Sequence, residues 1–208
     1  FMGSLFHISM AQAQAPADPK KFNGPQLQAL LAADDRINAG GLEEADFKKV
    51  GLLRGFIVGV HDTISGDSGC TPPNISYPDL LELVRERVKE VPQYIDRSVG
   101  FFVNTAITFK YSCLGAKKGA SESSPRLWTG QDLKKRLDAY DRAKSGKPLP
   151  GDGQTVAELT GLVLGVAYEL SVFNACPPPK TTTAQLVEAV SEVNKKNPRY
   201  VEHSAAVG

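Results

Sequence analysis

Laid on itself with a shift of 106 residues and no gap, this chain matches at about 25 of 79 positions, residues 24–102 against 130–208. Unrelated sequences of ordinary composition agree at roughly five such positions. The chain is therefore a duplication, and whatever it folds into must be built from a unit of about a hundred residues used twice. The identities fall in groups: Asp35 and Arg36 with Asp141 and Arg142, Gly55 and Gly59 with Gly161 and Gly165, Cys70 with Cys176 and the prolines after it, Pro92 and Tyr94 with Pro198 and Tyr200.

The periodicity of each unit is helical. Apolar residues at helical spacing predict a first helix over 26–37, with its twin over 131–143, and longer, more fully apolar helices over 45–64 and 154–173. An amphipathic helix follows over 80–90, its twin starting at Thr183, and a last helix over 93–111 carries Tyr94, Ile95, Val99, Phe102, Ala106 and Phe109 on one face. No convincing strand pattern is present. The expected fold is all-α: two tandem, disulfide-braced bundles of about four helices each. The expected organisation is a signal-peptide remnant over 1–13, a tail over 14–23, repeat 1 over 24–113, a linker over 114–129, and repeat 2 over 130–208 with its C-terminal helix incomplete.

Three cysteines in 208 residues are explained by the register of the repeat. Cys70 and Cys176 are equivalent, while the counterpart of Cys113 falls near position 219, beyond the sequence. Cys70 is thus expected to pair with Cys113, and Cys176 with a cysteine beyond the chain. Such a bridge closes a loop of about 44 residues, worth roughly 4 kcal/mol in the chain-entropy account, and suits an oxidising compartment. Three reduced cysteines in a cytosolic protein are the competing reading. The start of the chain favours export, because a short apolar stretch runs into Ala11, Ala13 and Ala15, an A-x-A series expected to be cut after Ala13. Met2, Gly3 and Ser4 also fit an expression-vector remnant. No later segment has eighteen uninterrupted apolar residues.

Little in the sequence points to catalysis. A net charge of +1 removes the electrostatic case for nucleic acid. The glycines at 51, 55 and 59, and at 161 and 165, lie four apart inside helices, where their backbone N–H groups are used internally. They read as a stripe for close helix approach and not as a phosphate loop. His61 and Asp62 are adjacent on a helix, so their side chains are expected to point apart, with His61 on the surface. Asp35 and Arg36, repeated as Asp141 and Arg142, read as an internal bridge in preference to a recognition pair. Glu82 and Glu86, repeated as Glu188 and Glu192, read as an exposed, ion-laced face. Trp128, just before repeat 2, is placed to staple that unit's first helix or to dock the units together. No catalytic residue, metal ligand or cofactor site is assigned.

A helix with Gly55, Gly59 and Val60, then Cys70, Thr71 and Pro72, a helix with Leu80 and Val84, the pair Pro92 and Tyr94, and a closing Cys113 together resemble the Rap/Tai immunity family of periplasmic proteins. The second copy supplies Gly161, Gly165 and Val166, then Cys176 and Pro178, Leu186 and Val190, Pro198 and Tyr200. The resemblance implies a helical periplasmic protein that binds a type VI secretion amidase and blocks its groove without catalysis of its own. This chain departs from that family in carrying two units, so that one unit can pair with the other where the family uses two chains; a homodimer is also open. The implied contacts are the cysteine loops 65–78 and 171–182, with Ser65, Asp67, Asn74, Tyr77, Phe173, Asn174 and Lys180 as candidate partner-binding residues. Rival readings are an accessory subunit of a periplasmic or envelope complex, and an acid-stress periplasmic chaperone.

Overall fold

In the computed structural model, residues 22–114, 126–172, 178 and 181–197 are described. They form α1 (Gly24–Asn38), α2 (Glu44–Ile64), α3 (Tyr77–Glu90), α4 (Val99–Lys110), α5 (Gly130–Lys144), α6 (Asp152–Val172) and α7 (Thr183–Lys196), with a short 3₁₀ turn at Pro92–Tyr94. Only isolated β-bridges accompany them among these residues. Four helix starts use one device. Asn23, Ser76, Thr129 and Thr182 each accept from the backbone N–H three residues on, and Gln26, Asp79, Asp132 and Gln185 reach back to the cap's own N–H. Asn23 and Thr129 occupy equivalent places in the two repeats, as do Ser76 and Thr182. The capping role persists although the residues differ.

A second repeated device joins consecutive helices. Arg36, in the last turn of α1, donates through Nε and Nη2 to both oxygens of Asp46, each at 2.7 Å. Arg142, in the last turn of α5, holds Asp152 at 2.9 and 2.7 Å in the same way. A cation at a helix C-terminus and an anion in the next first turn both oppose the helix dipoles, and the fork geometry fixes the angle between them. The internal bridge expected at the Asp-Arg pairs is thus present, but its acid is Asp46 or Asp152, ten residues on. The Arg36 guanidinium pulls the Asp46 carboxyl down to about 2, and Asp152 is lowered by Arg142. A depressed folded pKa gives stability that is full above the unfolded value of about 4 and is lost as pH falls toward 2. Asp46→Asn and Asp152→Asn should therefore lower the unfolding temperature at neutral pH and flatten its fall below about pH 4, read by circular dichroism melts.

The two central helices, α2 and α6, make the most extensive contact among the described helices. They run in the same direction. A Cβ on Gly51 would sit 2.6 Å from the Gln154 carbonyl oxygen, one on Gly55 would strike the Glu158 carbonyl, and one on Gly59 the Leu162 carbonyl. The contact is reciprocal: Gly161 lies against the carbonyl of Leu52, and Gly165 lies 2.5 Å from that of Phe56 by the same measure. Glu158 and Leu162 are the repeat-2 counterparts of Leu52 and Phe56, so the repeats meet about a pseudo-two-fold axis. The glycine stripe is a backbone-to-backbone seam, as the spacing predicted. Because the obstructing atoms are backbone, the seam cannot relax by moving a rotamer. Gly55→Ala and Gly161→Ala should each cost about 1–3 kcal/mol in urea unfolding, and a similar cost for both would reflect the symmetry of the seam.

The larger apolar cluster draws on α1–α4, Phe22 and Leu164 of α6; a smaller one joins Leu137, Leu159, Val163 and Val187. Phe22, expected in the tail, is buried edge-to-face on Phe56 at 5.3 Å. The last helix of repeat 1 is shorter than expected. It begins at Val99 behind the cap Ser98, because the backbone on either side of the extended Ser98 is tied to residues 22–24: the Gly24 N–H donates to the Arg97 carbonyl and the Val99 N–H to that of Phe22. The apolar face of 93–111 is therefore divided between a 3₁₀ turn and α4. Some positions of repeat 2 are less covered than their counterparts. Ile64 is 2% exposed and Leu170 42%. The expected C-terminal helix of repeat 2 lies outside the described residues. Among the described helices α6 is long and apolar enough to cross a membrane, but half of that stretch is buried within the protein.

Candidate functional site

The loop 65–76 between α2 and α3 is tied at several points. Cys70 is disulfide-bonded to Cys113, the Cα atoms 4.9 Å apart. Cys70 N–H donates to the Tyr111 carbonyl at 2.7 Å and Cys113 N–H to that of Ser68 at 3.3 Å. The N–H groups of Asp67, Ser68 and Gly69 all converge on the Ile64 carbonyl, so the chain wraps tightly around the end of α2. Gly66 makes this turn with φ +83°, a region that favours glycine. Ile75 is buried and returns the chain to the core.

Beneath the loop lies a polar network that sequence reasoning placed wrongly. His61 is fully buried, not on the surface. Its Nδ1 is 2.8 Å from Asp62 Oδ1, so the neighbouring side chains meet and do not point apart; its Nε2 is 2.9 Å from Thr71 Oγ1 and 3.5 Å from Ser65 Oγ. Asp62 accepts in turn from the backbone N–H groups of Leu127, at 3.0 Å, and Trp128, at 3.4 Å. The tilt that adjacency in a helix normally forbids is drawn by partners on both sides, one beside Cys70 and one before α5. Trp128 lies under the Arg136 guanidinium at 3.4 Å, and Arg136 pairs with the buried Glu158 at 2.7 Å. Trp128 thus both staples α5 and, through its N–H, docks to α2. In repeat 1 the places of Arg136 and Glu158 are held by the buried Leu30 and Leu52. An apolar pair in one repeat has become an ion pair in the other, a paired change visible in the self-alignment once both positions are known to face inward.

The candidate contact residues separate. Asp67 and Asn74 are exposed on the loop. Ser65 closes α2, its N–H donating to the His61 carbonyl. Tyr77 is turned inward. Its ring lies beneath the Arg54 guanidinium at 5.4 Å, its hydroxyl is buried without a hydrogen-bond partner, and burial pushes its phenol well up. Phe173, Asn174, Cys176 and Lys180 lie outside the described residues. The acid-laced face also divides: Glu82 and Glu86 are exposed, whereas Glu188 accepts from Tyr140 at 2.7 Å and Lys144 at 2.6 Å, and Arg85 crosses to Asp34 and Asp35. Glu188 is therefore a link between α5 and α7 and not only a solvated charge.

His61, Asp62 and Thr71 have the residue types of a nucleophilic relay, but His61 and Thr71 are closed from solvent and Asp62, besides His61, holds the backbone N–H groups of Leu127 and Trp128. The arrangement holds the cysteine loop to the start of α5. Among the described residues no group of three His, Cys, Asp or Glu side chains is placed to hold a metal ion. No family model, curated protein or solved structure matches this chain. Replacing Cys70 and Cys113 by Ser should cost roughly 4 kcal/mol of unfolding free energy, measured in urea and matched by adding a reductant to the native protein.

Proposed function

We propose that this chain is a non-enzymatic binding protein of the bacterial periplasm that acts as an immunity protein, occluding the substrate groove of a secreted peptidoglycan amidase. In this reading each repeat is a disulfide-braced four-helix unit, and the two stand in for the paired chains of simpler family members. The observation that carries it is the loop 65–76. Its ends and middle are fixed by the Cys70–Cys113 bridge and by backbone bonds to Ile64 and Tyr111, while Asp67 and Asn74 stand exposed. A loop already ordered loses little conformational entropy on docking, which is what tight occlusion by a small surface requires. A disulfide persists in an oxidising compartment, in keeping with the periplasm.

The test is inhibition of peptidoglycan hydrolysis by the amidase encoded beside this protein. Asp67→Arg and Asn74→Arg should each weaken binding about tenfold or more, equivalent to about 1.4 kcal/mol, with unchanged melting temperature. Tight binding that ignores both substitutions would move the contact elsewhere. Failure to bind any such amidase, or purification in fixed stoichiometry with an envelope complex, would replace this reading with that of an accessory subunit.

A further inference from the structure

Five acids are buried among the described residues, and four of them carry an arginine. Asp34 has Arg85, Asp46 has Arg36, Asp152 has Arg142 and Glu158 has Arg136, each at 2.7 Å. Glu169 is the fifth. It is 1% exposed, near the end of α6, and its two carboxylate oxygens face one neutral group, the Asn104 amide of α4, whose Nδ2 lies 3.1 Å from each. No described Lys, Arg or His forms an ion pair with it.

The surroundings supply no charge to take the arginine's place. On α6 the neighbouring Tyr168 packs its ring against Gly100 of α4, where a Cβ would collide with it, and shares a groove with Ser98. On α2, His61 and Asp62 are committed to each other and to Thr71, Leu127 and Trp128. Asp96 and Arg97 line an open groove of about 520 Å³ with Ser98, Tyr168, Ser171 and Val172, but both are exposed and neither bonds to Glu169. A carboxylate enclosed this way with a single amide donor is poorly solvated, whereas the neutral acid leaves no charge to desolvate, and the Asn104 amide, turned to present Oδ1, would accept its hydroxyl.

We propose that Glu169 and Asn104 form a proton-dependent clasp between the two repeats, closed when Glu169 is the neutral acid and loosened when the carboxylate forms. Burial raises the Glu169 pKa, the Asn104 bond opposing it in part. An acid whose folded pKa is raised keeps its proton longer in the fold than in the unfolded chain. The stability it contributes is therefore present at low pH and is lost as pH rises through the folded value. This is opposite in sign to Asp46 and Asp152, whose contribution is lost as pH falls. Loosening is directed at α4, the helix that delivers Cys113 and so anchors the candidate contact loop.

The test compares the native chain with Glu169→Gln, which fixes the neutral form in the same shape. The variant should melt about 3 °C or more above the native chain at about pH 8, and the gap should close as pH falls. Hydrogen exchange corrected for intrinsic rates should show α4 amides losing protection as pH rises in the native chain but not in the variant. A melting difference independent of pH, or a variant less stable at pH 8, would overturn the clasp. If the variant does not fold, a carboxyl-carbon resonance titration of the native protein decides: Glu169 titrating near the ordinary glutamate value of about 4.3 overturns it.

Discussion

The contact of α2 with α6 is the constraint on which the rest of the chain depends. Five glycines allow two helix backbones to approach until carbonyl oxygens occupy the space of the absent β-carbons. Glycine within a helix costs roughly 1 kcal/mol relative to alanine, so the helices that carry it need compensation from packing. That compensation is the long burial of one against the other, with Phe56, Leu164 and Tyr168 filling the flanks. Once the central pair is set, α1 and α5 are placed by the arginine forks to Asp46 and Asp152, and α3 and α7 by their capped starts and apolar faces.

Within this frame the two repeats have diverged in the polarity of equivalent inward positions. Leu30 and Leu52 correspond to the ion pair of Arg136 and Glu158, and Asp34 with Arg85 corresponds to Tyr140 and Ser191. A buried ion pair needs its hydrogen bonds satisfied to offset desolvation. Arg136 meets that need with Glu158, the Asp132 carbonyl and the Trp128 face together. The cysteine loop of repeat 1 belongs to the same web, since Thr71, His61, Asp62 and Trp128 run without a break from the disulfide to α5. The candidate contact surface is thus coupled to the seam between repeats and not appended to it.

Much of this was legible from residues alone. Gly55 and Gly161 announced a close helix approach, Cys70 and Cys113 announced a bridge through the repeat register, and Asp35-Arg36 with its twin announced an internal ion pair. The acid of that pair was also within reach, because Asp46 and Asp152 are themselves an identity of the repeat. His61 was not legible. Its neighbour Asp62 lies beside it in sequence and away from it on an ideal helix, and only the simultaneous pull of Thr71 and Leu127 brings the two together. The start of α4 was hidden for a related reason: the residues that hold Ser98 extended ahead of it are Phe22 and Gly24, some seventy-five positions away.

The sequence by itself determined an all-helical chain built twice, the helix ends that capping residues mark, and a glycine stripe made for close helix approach. These are written in periodicity, in side chains that bond within four residues, and in a repetition that needs no coordinates. The tertiary structure decided which charges are enclosed and with whom. It gave Asp46, Asp152 and Glu158 an arginine and left Glu169 with an amide, a distinction no local pattern holds, because the energy of a buried charge depends on groups brought from distant parts of the chain.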